Sequence, residues 1–395
     1  MKRGFGGMIS AFLVVLVGGC DLVLGLERAS AIVAPDAGSG AGTTASISSS
    51  SSSSGSGGTG GSTSSSTSGT GGSSIVCIPG QKQCAGDVLQ TCDGNGQWDS
   101  GVVCHLYFSA GACADPPSCI GLAESCGLPG SNENCCATPL VPQGSYNRSN
   151  DANYPATVSD FRLDRFETTV GRFRAFLNAY DASPGSKPKA GDGAHPTVSG
   201  SGWDAIWMLP ATSGALKTAV KCNPTTQTWT DAVAGNENKP MNCLDWYEAF
   251  AFCAWDGGRL PTEAEWNYAA AGGNEQRQYP WSSPPSSITI DGTYAVYNGA
   301  PIAPVGSTSA KGDGKWTQAG LAGGVWEWTL DWFAPPYSIT PCNDCSLVSL
   351  GNGTARIMRG GSWNGDASLL RTSFRSGFDP ALHNEGVGVR CARTP

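Results

Sequence analysis

Nine cysteines fall within sixty residues, from Cys77 to Cys136, at spacings of six to twelve apart from the adjacent Cys135 and Cys136. So short a stretch buries too little apolar surface to hold itself folded, and cross-links must supply what a core would. We read 75–136 as a disulfide-stapled segment, serving either as a recognition element or as a stabilised spacer. Cys77, Cys84, Cys92 and Cys104 enclose turn residues such as Asp93-Gly94-Asn95-Gly96, as a short hairpin module would. The connectivity from Cys77 to Cys136 stays open. Farther on, Cys342 and Cys345 form a CxxC pattern. No second CxxC accompanies it, so a local disulfide is expected in place of half a zinc site or a redox motif.

Disulfides on this scale need an oxidising compartment, and the N-terminus supplies a route to one. Lys2 and Arg3 precede an apolar run from Met8 to Val17, which ends in Val17-Gly18-Gly19-Cys20. This resembles a bacterial lipobox: 1–19 reads as a lipoprotein signal peptide, and Cys20 as the lipidated first residue of the mature chain, carrying palmitate-type acyl chains. An ordinary signal peptide with a chance cysteine, or a short membrane anchor, are the alternatives; the apolar run is short for a bilayer span. The partner implied is a membrane, reached through the lipid anchor, and the location is the cell envelope, periplasmic or cell-surface. Asp21 resembles an inner-membrane retention signal, a rule that does not carry between lineages, so the leaflet stays open. Setting Cys20 aside leaves fifteen of the 16 cysteines, an odd number, so one is free or bonded outside the chain.

The remainder of 20–74 reads as a tether. Residues 37–74 are almost entirely Ser, Gly, Thr and Ala without an apolar period, and such a chain cannot offset its ordering entropy by burial. At ~5–6 Å × √n it would span roughly 35 Å, enough to hold a domain off a membrane. The formal net charge of −8, with no basic run beyond the N-terminus, excludes a nucleic-acid partner, which would need clustered Lys and Arg.

Residues 137–395 read as one domain. Val170, Phe173, Leu177 and Tyr180 recur at helical spacing within 168–180, and a second apolar-faced helix covers 244–255. Thr262-Glu263-Ala264-Glu265 is a capping box that starts a third. Between Trp281 and Pro341 there is little periodicity, so short strands and long loops are expected there. With Gly 55, Pro 25 and Trp 13 against 14% charged residues, the class is α+β with much irregular structure, pinned by large aromatic side chains.

Several segments of this domain carry a specific resemblance. Phe161-Arg162-Leu163-Asp164-Arg165-Phe166-Glu167-Thr168-Thr169 is followed by Gly258-Arg259-Leu260-Pro261-Thr262-Glu263-Ala264-Glu265-Trp266 and by Tyr279-Pro280-Trp281. Then come Gly323-Gly324-Val325-Trp326-Glu327-Trp328 with Asp331-Trp332, Arg359-Gly360-Gly361-Ser362-Trp363, and Gly388-Val389-Arg390-Cys391. In this order they resemble the formylglycine-generating (sulfatase-modifying factor) family. The resemblance implies that family's loop-rich C-type-lectin-like α+β fold and a disulfide between Cys253 and Cys391; Cys222 with Cys243, and Cys342 with Cys345, are the next pairs. Most motif residues have a scaffold role as their simplest reading, leaving Trp326, Ser362, Trp363 and Arg371 as candidate cleft residues.

Family members that oxidise a substrate cysteine bind copper through two cysteines spaced C-x4-C after the Gly-Gly-Ser motif, because soft Cu(I) prefers thiolates. The resemblance places Gly365 and Leu370 at those positions, and no two cysteines in the chain lie five residues apart. Copper is therefore not expected, and the catalytic set is empty. Calcium stays open: Gly323, Val325 and Glu327 match one family site through carbonyls and a carboxylate, with Glu167 as an isolated acidic contact. Gly320 and Gly324 stand where relatives carry Asp or Asn. The family's iron enzymes draw on a histidine cluster, whereas His105, His195 and His383 lie in separate segments and read as surface or capping residues. No GxSxG, HExxH or phosphate-cradling loop is present.

The reading is an envelope lipoprotein whose domain binds a peptide, glycan or partner protein without turnover. The alternative is a formylglycine-type oxidase acting on protein cysteine with altered metal ligands. Mass spectrometry of the mature protein should find Cys20 at the N-terminus with acyl chains attached, and Cys20→Ser should release the chain from membranes. An unacylated mature N-terminus would reject the anchor.

Overall fold

The computed structural model describes residues 112–182, 185–351 and 353–395, with residues 79, 82–85, 88–99, 102–103 and 107–109. Cys20, the tether to 74, Cys77 and Cys104 lie outside the described residues. In the cysteine-rich segment β1 (Lys82–Ala85), β2 (Val88–Thr91) and β3 (Val102–Val103) form one antiparallel sheet, and β4 (Tyr107–Ser109) pairs with β5 (Ala112–Ala114). The Asp93 carboxylate folds the following turn by accepting from the amides of Asn95 (2.8 Å) and Gln97 (2.9 Å).

Next come β6 (Leu140–Val141), β7 (Gly144–Asn147), β8 (Pro155–Val158) and β9 (Phe161–Leu163). Four helices follow: α1 (Val170–Ala179), α2 (Ser213–Ala219), α3 (Trp246–Trp255) and α4 (Glu263–Ala271). The chain ends with β10 (Trp326–Trp332), β11 (Cys342–Asn343), β12 (Arg356–Arg359), β13 (Ser376–Phe378), β14 (Val387–Gly388) and β15 (Ala392–Arg393). A four-stranded sheet runs β13-β12-β10-β14, in which β14 alone is parallel to its neighbour. A second sheet, β15-β9-β6, sets the last strand beside one of the first, with Ala392 opposite Leu163. The architecture is α+β and loop-rich.

Helix starts follow local chemistry. Thr262 Oγ1 accepts from the Glu265 amide at 3.0 Å while Glu265 accepts from the Thr262 amide at 2.9 Å, the reciprocal box that the sequence predicts. Asp245 and Glu248 repeat it on α3, which therefore begins at Trp246, with Leu244 buried ahead of it. The main core packs α1 and α3 on the central sheet through Phe173, Phe176, Trp246, Phe250, Phe252 and Trp328. Indole nitrogens are satisfied inside it: Trp246 donates to the Thr329 carbonyl at 2.8 Å and Trp328 to that of Leu244 at 3.0 Å.

A buried charge cluster joins these layers. Arg172 of α1 donates to Asp164 at 2.8 Å and to Asp256, the residue closing α3, at 2.6 Å. Arg393 of β15 reaches Asp256 at 2.9 Å and Asp164 at 3.4 Å. Asp256 also accepts from the Ser118 amide at 2.9 Å, and Arg172 donates to the Ser118 hydroxyl at 3.0 Å. Contacts thus cross residue 136 into the cysteine-rich segment. There, disulfides join Cys119 to Cys136 and Cys126 to Cys135, and the latter pair packs on Phe166, Val305 and Ala319. Cys253 is bonded to Cys391, Cys222 to Cys243 and Cys342 to Cys345. Such bonds suggest an extracytoplasmic location. No described helix is long and apolar enough to cross a membrane.

Arg172→Met should cost about 3–5 kcal/mol in urea unfolding, because it leaves two buried carboxylates sharing one guanidinium. An unchanged midpoint would show that the cluster does not hold the layers together.

Candidate functional site

After β12 the chain turns through Gly360 (φ 96°) and Gly361 (φ 74°), backbone angles that side chains resist. A Cβ on Gly361 would lie 2.5 Å from the Leu370 side chain, so glycine here lets the two segments close. The loop is clamped from both sides by backbone bonds, Trp363 N to Gly324 O at 2.8 Å and Asn298 N to Gly365 O at 2.8 Å. Leu370 is 1% exposed and packs with Tyr279, Ala295 and Ala322. The two positions that the resemblance assigns to copper ligands are thus a clamped backbone turn and a core leucine.

The four candidate cleft residues separate. Ser362 is 1% exposed, and its hydroxyl donates to Asn364 at 2.7 Å. Trp326 is 9% exposed and packs on Phe374, with ring centroids 6.0 Å apart. Arg371 is exposed. Trp363 alone of the four lines a cleft of about 290 Å³, together with Thr226, Gln227, Asn236, Lys239 and Ile302. Its indole donates to the Glu385 carbonyl at 3.3 Å, which fixes the ring in the wall. In the same lining, the Thr226 hydroxyl and the Gln227 side-chain oxygen are buried without a hydrogen-bond partner. Both atoms are shielded from solvent, so they carry the cost of an unmade hydrogen bond without facing the open space of the cleft. The Lys239 ammonium makes no ion pair among the described residues, so the cleft also offers an uncompensated positive charge. Sequence reasoning missed Thr226, Gln227, Asn236 and Lys239; they lie in an irregular loop with no periodicity or motif to single them out.

The calcium candidates come together beside this loop. Glu327 is fully buried and accepts from the Trp266 indole at 2.7 Å and from Arg390 at 2.8 and 3.0 Å. Glu167 accepts from the Val325 amide at 3.1 Å. A Cβ on Gly320 would sit 2.9 Å from the Glu167 carboxylate, so Glu167 fills the space that a side chain at 320 would need. Burial, with Glu327 adding to it, pushes the Glu167 carboxyl up to about 8 against the pull of Arg390. Arg390 pairs with Glu327 and acts on Glu167 only through space. With both ionised the site is net negative, but both Glu327 oxygens are already engaged by Arg390 and Trp266, so of the two carboxylates Glu167 is the one left to meet a calcium ion, with the carbonyls of Gly323 and Val325 as the resemblance implies. Such an ion would supply charge neutralisation.

The histidines stay apart in their contacts, His195 on Glu265 at 3.3 Å and His383 on Glu248 at 3.0 Å, while His105 lies outside the described residues.

Because the Glu167 carboxyl rises from 4.5 to about 8 on folding, its contribution to stability is present below 4.5 and is lost as pH rises through about 8. Glu167→Gln should therefore raise Tm in chelator at about pH 9 and change it little at about pH 5, read by scanning fluorimetry. Calcium should raise the wild-type Tm at the higher pH. A gain from Glu167→Gln that is equal at both pH values would reject the assignment.

The sulfatase-modifying factor enzyme 1-like domain model matches residues 127–395. A formylglycine-generating enzyme of Streptomyces coelicolor is 35% identical over 178 residues, 40% of this chain and 54% of that protein. A hercynine oxygenase of Mycolicibacterium thermoresistibile is 32% identical over 259 residues, 61% of this chain and 53% of that protein. The chain thus spans about half the length of these relatives. Among solved structures, PvdO of Pseudomonas aeruginosa aligns with a TM-score of 0.45 at 20% identity, covering 65% of this chain and 93% of its own.

Proposed function

Since this chain belongs to the sulfatase-modifying factor enzyme 1-like family, we propose that it is a binding module of the cell envelope, whose cleft captures a ligand without oxidising it. The observation that carries this reading is the fate of the two copper-ligand positions. Gly365 has no side chain, and Leu370 is packed in an apolar cluster where a thiolate would have neither solvent nor a cation. Ser362, the remaining polar residue of that motif, is committed to Asn364.

The cleft beside Trp363 supports binding. An indole face offers stacking area at low entropic cost, the exposed Thr225 side chain offers hydrogen bonds, and Lys239 offers a charge. A peptide, glycan or partner-protein segment bearing a carboxylate fits that combination. The Cys20 lipobox and the tether to residue 74 would present the module away from the membrane that anchors it.

The protein, given Cu(I), oxygen, reductant and a CxPxR peptide, should form no aldehyde at the peptide cysteine by mass spectrometry. Aldehyde formation that Trp363→Ala abolishes would overturn the reading and make the chain a formylglycine-type oxidase with other ligands.

A further inference from the structure

Asp164, Asp256, Glu263, Glu265 and Glu327 are buried carboxylates, and each meets an arginine. Glu248 does not. It lies at the start of α3, 1% exposed, and faces Asp245 and His383 instead. Its Oε2 accepts from the Asp245 amide at 3.3 Å and lies 3.0 Å from His383 Nε2, whereas its Oε1 is buried without any hydrogen-bond partner. Asp245 Oδ1 accepts from the Glu248 amide at 2.7 Å. Tyr180, which also faces Glu248, has its hydroxyl committed to the Pro210 carbonyl at 2.7 Å. Two carboxylates and one imidazole therefore converge with an orphaned oxygen among them, a charge arrangement found in none of the arginine-paired sites.

One ligand atom from each of Asp245, Glu248 and His383 lies within 4.8 Å of the other two. A point can then be found within about 2.8 Å of all three, so sub-ångström side-chain shifts bring the donors to the ~2.0–2.2 Å of a zinc shell. Asp245 and His383 are only partly covered, which leaves one side open to water. We propose that Asp245, Glu248 and His383 bind one divalent first-row transition ion, zinc or manganese, through an imidazole nitrogen and two carboxylate oxygens, with water completing the shell.

The ion would act as a cross-link. His383 is two residues before Glu385, whose carbonyl holds the Trp363 and Asn242 side chains, and three before Gly386, whose carbonyl holds the Trp326 amide at 2.7 Å. Bound metal thus fastens the loop before β14, which backs the cleft wall, to the N-terminus of α3. The capping box there uses Asp245 Oδ1 and Glu248 Oε2 as acceptors, and each carboxylate keeps lone pairs for the ion, so the cap and the metal can coexist.

The test is titration calorimetry of chelator-stripped full-length protein with zinc and, separately, manganese. One equivalent should bind. His383→Ala should weaken affinity on the order of 10-fold or more, and so should Glu248→Gln, whose amide oxygen can still accept from the Asp245 amide and keep the cap. Glu167→Gln should leave binding intact, separating this site from the calcium candidate. No binding of either metal, or affinity unchanged in His383→Ala, would overturn the proposal and leave a helix cap with a His–Glu ion pair only. A folded wild-type-like Tm for His383→Ala shows that any loss is one of ligation.

Discussion

Asp256 closes α3 with a carboxylate that answers to three parts of the chain: Arg172 on α1, Arg393 on the last strand and the Ser118 amide before the domain's first sheet. A fold with long irregular connections has few hydrogen-bond ladders to hold its layers in register, and much of that work passes to side chains. Charges in such a place are stabilising only when each is matched, because an unmatched one keeps the full desolvation penalty. The cluster of two aspartates and two arginines is matched, and the Cys253–Cys391 bond lies along the same seam. The layers of this domain are consequently coupled: loosening the C-terminal strand exposes charges on α1 and α3 together.

Local chemistry was the legible part of the sequence. Apolar spacing anticipated α1 and α3, and a capping box anticipated α4, because amphipathic period and capping depend on residues three or four apart. Boundaries moved by a residue or two where a cap took precedence, as at Asp245. Between Trp281 and Pro341, where short strands and long loops were expected, the described residues hold a long loop up to Trp326 and then one seven-residue strand, β10, so the loop was legible and the strand's length was not.

What was not legible depends on distance along the chain. His383 looked solitary because its partners sit 135 residues earlier on another element. The glycines at 320 and 324 looked like lost ligands, yet Glu167 arrives from a remote segment to occupy that space. Thr226 and Gln227 carry no motif, and their interest arises only from being buried without partners. Several motif residues meet one another across long stretches of chain: Trp266 and Arg390 satisfy Glu327, and Ser362 donates to Asn364.

The leucine at 370 has a consequence for what substitutions its loop can accept. It is wedged against Gly361 and shares a cluster with Tyr279 and Ala322, so neighbouring volumes have adjusted to an apolar side chain. Exchanging it for a smaller thiol would open a void, at some part of the roughly 2–5 kcal/mol that truncating a buried leucine to alanine costs. Replacing Leu370 alone would therefore give a less stable protein that still has no side chain at 365 to serve as a second ligand. Packing of this kind fixes a position from its surroundings: the neighbours of residue 370 accept an apolar side chain of leucine's volume, and any change of chemistry there is first a change of core.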